Sequence, residues 1–287
     1  MRNKSFFLSL SSISIIIMIV ISKANSNGPV QSRQQVLANK MSSRVKHTED
    51  SVTYPPASLQ LDPFYEKYLD ASGIPIVGSK NIDDAAFYAV QQVVNKMVSM
   101  RPDVLAQMIK NKLRVGIIGI SEVTTDMPEY RDLPGRPDDS RTWNDTRGLG
   151  ATTSRPLSGC AEENVLCYGQ GKDPYFNEDI LIHEFAHSIH ELGILFVNPS
   201  FDKELNKAFE NAKAKGLWVN TYAQSNYAEY FAEGVQDWFN INAYAVPTDG
   251  IHNEIHTRSQ LAKYDPVLYN IIKQYFPDDD EKVSCHQ

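Results

Sequence analysis

The sequence predicts an α+β domain with a small sheet and a mainly helical C-terminal half. Three observations carry this expectation. Residues 113–120, Leu-Arg-Val-Gly-Ile-Ile-Gly-Ile, form a short apolar run of buried-strand type. Downstream of them, apolar residues recur at spacings of three and four over several stretches, as helices require. Residues 61–277 contain no obvious linker or internal repeat, which favours one compact domain.

In chain order, Met1-Arg2-Asn3-Lys4 precedes a largely apolar run over 6–21 and then Ser22-Lys23-Ala24, with small residues spaced for cleavage after Ala24. Residues 1–24 therefore read as a signal peptide, because the run is shorter than the ~20 residues a membrane span needs. Residues 25–60 are polar, lack periodicity and reach Pro55-Pro56 near their end, the pattern of a flexible arm or propeptide. The domain proper is expected over 61–287.

Asp83 and Asp84 open a helix whose Phe87, Val90, Val93, Val94 and Met97 share one face, and a second short helix covers 103–110. The strand at 113–120 follows, and then a long irregular segment containing Arg147-Gly148-Leu149-Gly150. Residues 164–168 are expected to form another strand, a candidate edge for pairing with a peptide backbone. Further helices are expected over 178–192, 201–214, 226–240 and 266–276, and the acidic run 278–281 reads as a solvated tail.

The formal net charge of −7 and the lack of a basic stripe exclude a nucleic-acid partner. No segment after the leader approaches membrane-spanning length, so a soluble extracellular protein is expected, its oligomeric state open. In that compartment Cys160, Cys167 and Cys285 are disulfide candidates. Cys160 and Cys167 are close enough in sequence to clip one loop, which would leave Cys285 over, but all three pairings stay open. Asn144-Asp145-Thr146 is a glycosylation sequon.

The chemistry concentrates in His183-Glu184-Phe185-Ala186-His187, an H-E-x-x-H pattern. Residues four apart stand one helical turn above each other, so both imidazoles can meet one ion, and Glu184 can face water bound beside them. Catalytic zinc needs a third protein donor. The metzincin register fails, since position 190 is His and Gly193 comes too late. A second helix instead offers Glu229 and Glu233, one turn apart on a face opposite Tyr227, Tyr230, Phe231, Val235 and Trp238; either could be the donor.

This pair of motifs resembles the catalytic domain of anthrax lethal factor and its relatives, a family of gluzincin-type zinc metallopeptidases, over residues 180–240. The resemblance implies a zincin-like metallopeptidase domain with one zinc ion on His183, His187 and Glu229 and with Glu184 as general base. It also implies Tyr222, seven residues before Glu229, as donor to the developing oxyanion, and Glu233 as the carboxylate that orients a ligand His; Asn226 matches the family pattern. The family's toxin members carry additional domains, so only the chemistry carries over.

The function expected is secreted, zinc-dependent endopeptidase activity on a peptide or protein substrate, with the proton of the attacking water taken by Glu184. The alternatives are a secreted zinc-containing binding module without turnover and a zinc hydrolase of another bond. His190 lies a further turn along the helix and is not expected as a ligand. His252 and His256 lie in an apparent surface loop, and His47 and His286 lack context.

Overall fold

The computed structural model of the protein describes residues 51–133 and 142–287. The expected signal peptide and residues 25–50 of the expected arm lie outside the described residues.

The first two strands, β1 (Lys67–Ala71) and β2 (Ile74–Gly78), form an antiparallel hairpin. Its two-residue turn is Ser72-Gly73, with φ of 54° and 88°, the doubly left-handed geometry whose twist matches that of paired strands. Helix α1 (Asp84–Val98) follows, capped by the Asp83 carboxylate accepting from the Ala85 N–H at 2.9 Å. Its expected apolar face, Phe87 to Met97, is buried. Helix α2 (Pro102–Lys110) leads into β3 (Arg114–Ile118), which pairs with β2 in parallel, and β4 (Leu157–Ala161) pairs with β3 in parallel. The sheet order is β1-β2-β3-β4.

The sheet is covered on both sides. A main core joins its inner face to the helices, and a smaller cluster of Tyr65, Val77, Ile118, Met127, Tyr130 and Leu157 covers the other. Beyond β4, Leu149 pairs with Gly159 through two backbone hydrogen bonds of 3.2 and 2.8 Å, extending the sheet by one bridge.

The remaining α-helices of four or more residues among the described residues are α3 (Glu162–Val165), α4 (Ile180–Ile189), α5 (Phe201–Ala214), α6 (Tyr227–Trp238), α7 (Arg258–Tyr264) and α8 (Pro266–Ile272). The mixed sheet and the mainly helical C-terminal half are as the sequence predicts. Helix α4 continues into a wider π turn, His190–Ile194, and lies between β4 and α6. Residues 180–197 are long and apolar enough to cross a membrane by composition, yet Leu181, Ile182, Phe185, Ala186, Ile189 and Leu192 are all buried in the core.

Two expectations are corrected, on the strand at 164–168 and on the arm, and the cysteine pairing that the sequence leaves open is resolved. The strand expected at 164–168 is instead the end of helix α3 and a tight turn, and the edge strand lies just before it at Leu157–Ala161. Leu-Ser-Gly-Cys-Ala lacks the β-branched residues that advertise a strand, and all five positions are buried, so no alternation marks it. The cysteine pairing is Cys167 with Cys285, Cα–Cα 6.2 Å, whereas Cys160 is a free, buried thiol on β4. Within the expected arm, Thr53 pairs with Tyr68 on β1 and Ala57–Leu59 forms a 3-10 turn, so residues 51–60 have structure of their own.

The acidic run is tied down by ion pairs: Asp279 and Glu281 with Lys96 at 2.5 and 2.7 Å, and Asp278 with Arg258 at 3.1 Å.

Candidate metal centre and active site

Helix α4 carries the H-E-x-x-H motif and is fixed at its start and along one flank. Asp179 caps it, one carboxylate oxygen accepting from the Ile182 N–H at 3.1 Å. The other oxygen accepts from Ser284 Oγ at 2.5 Å, so the chain beside Cys285 is strapped to the helix N-terminus. The buried Asn164 amide donates to Asp173 Oδ2 and to the Tyr175 and Glu178 carbonyls, while its oxygen accepts from the Ile180 N–H at 3.0 Å.

Along the flank, the segment 147–151 lies directly on the helix. The Arg147 guanidinium forks onto Glu163 at 2.6 and 2.7 Å. The Gly150 N–H donates to the Glu184 carboxylate, and the Ala151 N–H donates to Ser188 Oγ at 2.9 Å. Only glycine fits at two of these positions. A Cβ at Gly148 would stand 2.5 Å from Ile180 Cγ2, and one at Gly150 would stand 2.7 Å from His187 Cβ.

Helix α6 brings the acidic residues. Asn226 caps it, accepting from the N–H groups of Ala228 and Glu229 at 2.9 and 3.0 Å, which sets where Glu229 leaves the first turn. His183 Nε2 and His187 Nε2 lie 3.0 and 3.1 Å from the same oxygen of Glu229, and 3.2 Å from each other. A tetrahedral zinc with bonds of 2.0 to 2.1 Å holds its ligand atoms about 3.3 Å apart. The triangle therefore fits such an ion with a shift of a few tenths of an ångström.

Hydrogen bonding behind His183 points the same way. Its Nδ1 lies 2.8 Å from Gln236 Oε1 and 3.5 Å from Glu233 Oε1. The Gln236 amide nitrogen donates to Glu178 Oε2 at 3.1 Å and to the Asp179 carbonyl at 3.3 Å. Both are acceptors, so the amide oxygen must face His183, and Nδ1 must be the donor. Two imidazoles and a carboxylate oxygen at this separation are a donor set that could hold a cation.

The titration behaviour of the metal-free site reflects the same field. Burial opposes a charge on His183, but the hydrogen bond to Glu229 and the charges of Glu184, Glu233 and Glu229 outweigh it and push the imidazole up to about 10. Glu229 is pulled well below the carboxylate range, the hydrogen bonds from His183 and His187 overcoming its burial. Burial raises Glu184, against the pull of the two imidazoles and the Gly150 N–H. Glu233 is pushed up to about 7 by burial and, less strongly, by Glu178, against the pull of His183 and His252.

Tyr222 starts a 3-10 turn, Tyr222–Gln224, with its ring over that of His183 at a centroid distance of 6.2 Å and an interplanar angle of 28°. Its backbone N–H donates to the Ile251 carbonyl at 2.8 Å, which fixes the ring on the solvent side of the site. Burial first, then Glu229 and Glu184, raise its hydroxyl far above the ordinary tyrosine value, so it remains a proton donor.

Three of the sequence-derived residues, His183, His187 and Glu229, thus meet around one point, with the Glu184 carboxylate close enough to feel both imidazoles and the Tyr222 ring stacked on His183. Glu233 lies behind, its Oε2 accepting from Asn242 Nδ2 at 3.1 Å. His190 is not part of the cluster: it is fully buried among Phe201, Tyr227 and Phe231, and its Nε2 lies 2.7 Å from Asp202 Oδ1.

His252 corrects the expectation of a surface loop. Only 8% exposed, it sits 3.4 Å from both Glu178 and Asp249. Against its burial, the Glu178 contact and the nearby carboxylates push it up to about 9. His256 does lie at the surface side, its ring 5.2 Å from that of Tyr244.

Sequence reasoning missed Gln236, Glu178 and the two glycines. Gln236 had a usable signal, because it follows Glu229 by seven residues and Glu233 by three and so falls on the same helical face. Glu178 and Gly150 had none, since their roles depend on long-range approach.

No family model matches the chain, and no curated protein matches it. Among solved structures, a Pro-Pro endopeptidase (PPEP-2) from Paenibacillus alvei superposes with a TM-score of 0.48 and 19% identity, over 70% of this chain and 97% of that one.

Proposed function

We propose that the protein is a zinc-dependent endopeptidase of gluzincin type that acts outside the cell, with His183, His187 and Glu229 as the metal ligands. The observation that carries this reading is the convergence of two imidazole nitrogens and a carboxylate oxygen within 3.2 Å of one another, with the far nitrogen of His183 bonded to Gln236. A zinc ion there supplies a Lewis acid that lowers the pKa of water to about 7 and polarises a scissile carbonyl.

The chain's own residues supply the rest. Glu184, partly open to solvent and held by the Gly150 N–H, takes a proton from the attacking water and returns it to the leaving amine. The Tyr222 hydroxyl donates to the oxygen on which negative charge develops. Glu233 and Gln236 hold His183 from behind. The extracellular assignment rests on the leader at 1–24 and on the Cys167–Cys285 disulfide, a bond that persists in oxidising compartments.

The alternative, a secreted zinc-containing binding module without turnover, would require neither a base nor an oxyanion donor, and the presence of Glu184 and Tyr222 beside the ligand residues supports the catalytic reading instead. The test is the Glu184→Ala variant measured beside wild type for zinc content and for cleavage of a diverse peptide mixture, with and without a chelator. Wild type should bind one zinc and cleave peptides in a chelator-sensitive way, while Glu184→Ala should keep the zinc and lose cleavage. Equal cleavage by both would overturn the role of Glu184. A zinc-loaded wild type that cleaves no peptide would favour the binding module.

A further inference from the structure

The charged and amide groups behind the metal centre form a chain that reaches a separate loop. His183 Nδ1 meets Gln236 Oε1 at 2.8 Å, Gln236 Nε2 meets Glu178 Oε2 at 3.1 Å, and Glu178 Oε2 meets His252 Nε2 at 3.4 Å. All four side chains are buried: Gln236 is fully enclosed, and His183, Glu178 and His252 are 7–8% exposed. The chain continues from His252 Nδ1 to Asp249 Oδ2 at 3.4 Å. The same loop holds the Tyr222 N–H through the Ile251 carbonyl.

Direction is imposed on this chain at one point. Glu178 as a carboxylate only accepts, so both Gln236 and His252 must donate to it. Gln236 has a single acceptor oxygen, and Glu178 and the Asp179 carbonyl already fix its nitrogen. A carboxylate in place of Gln236 would face the Glu178 carboxylate and could pair with it only by taking up a proton, whereas an apolar side chain would leave the His183 Nδ1–H without this acceptor and the ring free to turn. Glu233, the carboxylate the resemblance assigns to orienting His183, is 0.7 Å farther from Nδ1 than Gln236 (3.5 against 2.8 Å) and is itself engaged by Asn242.

We infer that Gln236 is the positioning residue of the metal centre: anchored by Glu178, it accepts the Nδ1–H of His183 and so aims Nε2 at the place of the ion. This inference rests on the proposed metallopeptidase site. Its distinctive consequence is that the polarity of the Gln236–Glu178 pair matters and that the pair can be inverted. In the double variant Glu178→Gln with Gln236→Glu, the new carboxylate at 236 accepts from His183, and the new amide nitrogen at 178 donates both to it and to His252 Nε2, while His252 Nδ1 donates to Asp249.

The test compares wild type, Gln236→Leu, Gln236→Glu and the inverted double variant. Zinc affinity is measured by chelator competition, and the His183 Nδ1 proton is followed by NMR in metal-free protein. Both single variants should bind zinc about 10- to 100-fold more weakly. The double variant should recover most of that loss relative to Gln236→Glu. The Nδ1 proton should be protected from exchange in wild type and the double variant and lost in Gln236→Leu.

Wild-type zinc affinity in Gln236→Leu, or a double variant no better than Gln236→Glu, overturns the inference. If Gln236→Leu does not fold, the comparison of the other two variants decides. A wild-type chain that takes up no zinc overturns the metallopeptidase reading instead, and the protection of the Nδ1 proton still decides whether Gln236 holds it.

Discussion

Replacing Gly150 by alanine places a methyl group 2.7 Å from His187 Cβ, a backbone-anchored atom of the motif helix that cannot swing aside. Carbon atoms in ordinary contact are about 3.5 to 4.0 Å apart, so the segment and the helix must separate by roughly 1 Å. The segment cannot yield freely, because Leu149 is paired with Gly159 on one side and Ala151 is bonded to Ser188 on the other. Part of the displacement therefore reaches His187 and the Glu184 carboxylate that the Gly150 N–H holds. Overpacking of this kind costs about 1 to 3 kcal/mol of stability. A misplacement of ~1 Å at reacting groups costs on the order of 100-fold in rate. Gly150→Ala should then remain folded, with a lowered urea midpoint, weaker zinc binding by chelator competition and a kcat/KM reduced by about that factor. A variant that loses stability but keeps wild-type zinc affinity and kcat/KM would refute the coupling between this segment and the metal centre.

Tyr222→Phe should lower kcat by on the order of 100-fold with zinc affinity unchanged, as read from steady-state cleavage of a fluorogenic peptide; an unchanged kcat would remove Tyr222 from the reaction. The double variant Cys167→Ser with Cys285→Ser opens a covalent loop with a sequence separation of 118, so it should lose about 5 kcal/mol in denaturant unfolding. Asp237 is fully buried and held well above the usual carboxylate range by burial, so the folded state binds its proton more tightly than the unfolded chain does. Its contribution is thus favourable below the unfolded pKa near 4 and is progressively lost as pH rises. Asp237→Asn, which cannot ionise, should gain stability relative to wild type between pH 4 and pH 7, and a difference that is flat with pH would refute the shift.

The parts of the molecule that obey helical period were legible in the sequence. The Phe87 to Met97 face, the α5 span Phe201–Ala214 and the two motif helices all declare themselves through residues three and four apart. The meeting of His183, His187 and Glu229 was legible in part, since the two helices declared the imidazoles and a pair of carboxylates, while the choice of Glu229 over Glu233 came from the resemblance. β4 was hidden because both its faces are buried and its residues are small. Nothing in the spacing of Cys160, Cys167 and Cys285 says that the nearest pair in sequence points apart, with Cys160 inside the sheet. His252 read as a loop residue because Pro247 and Gly250 surround it; what buries it is Glu178, which lies 74 positions earlier. Roles set by long-range approach, such as those of Gln236, Glu178 and Gly150, leave only faint local traces.

The strap at the start of the motif helix bears on when the site comes into being. His183 meets Glu229 across 46 positions and Gln236 across 53, while the Asp179 cap meets Ser284 across 105 and Asn164 meets His286 across 122. A chain emerging from the ribosome or a translocation channel carries its H-E-x-x-H helix long before it carries these partners. Until then His183 has no carboxylate to share a metal with and no amide to hold its proton. On the proposed function, the hydrolytic centre therefore assembles only after the chain has grown past Gln236, and the shorter, extended polypeptide is spared its own chemistry.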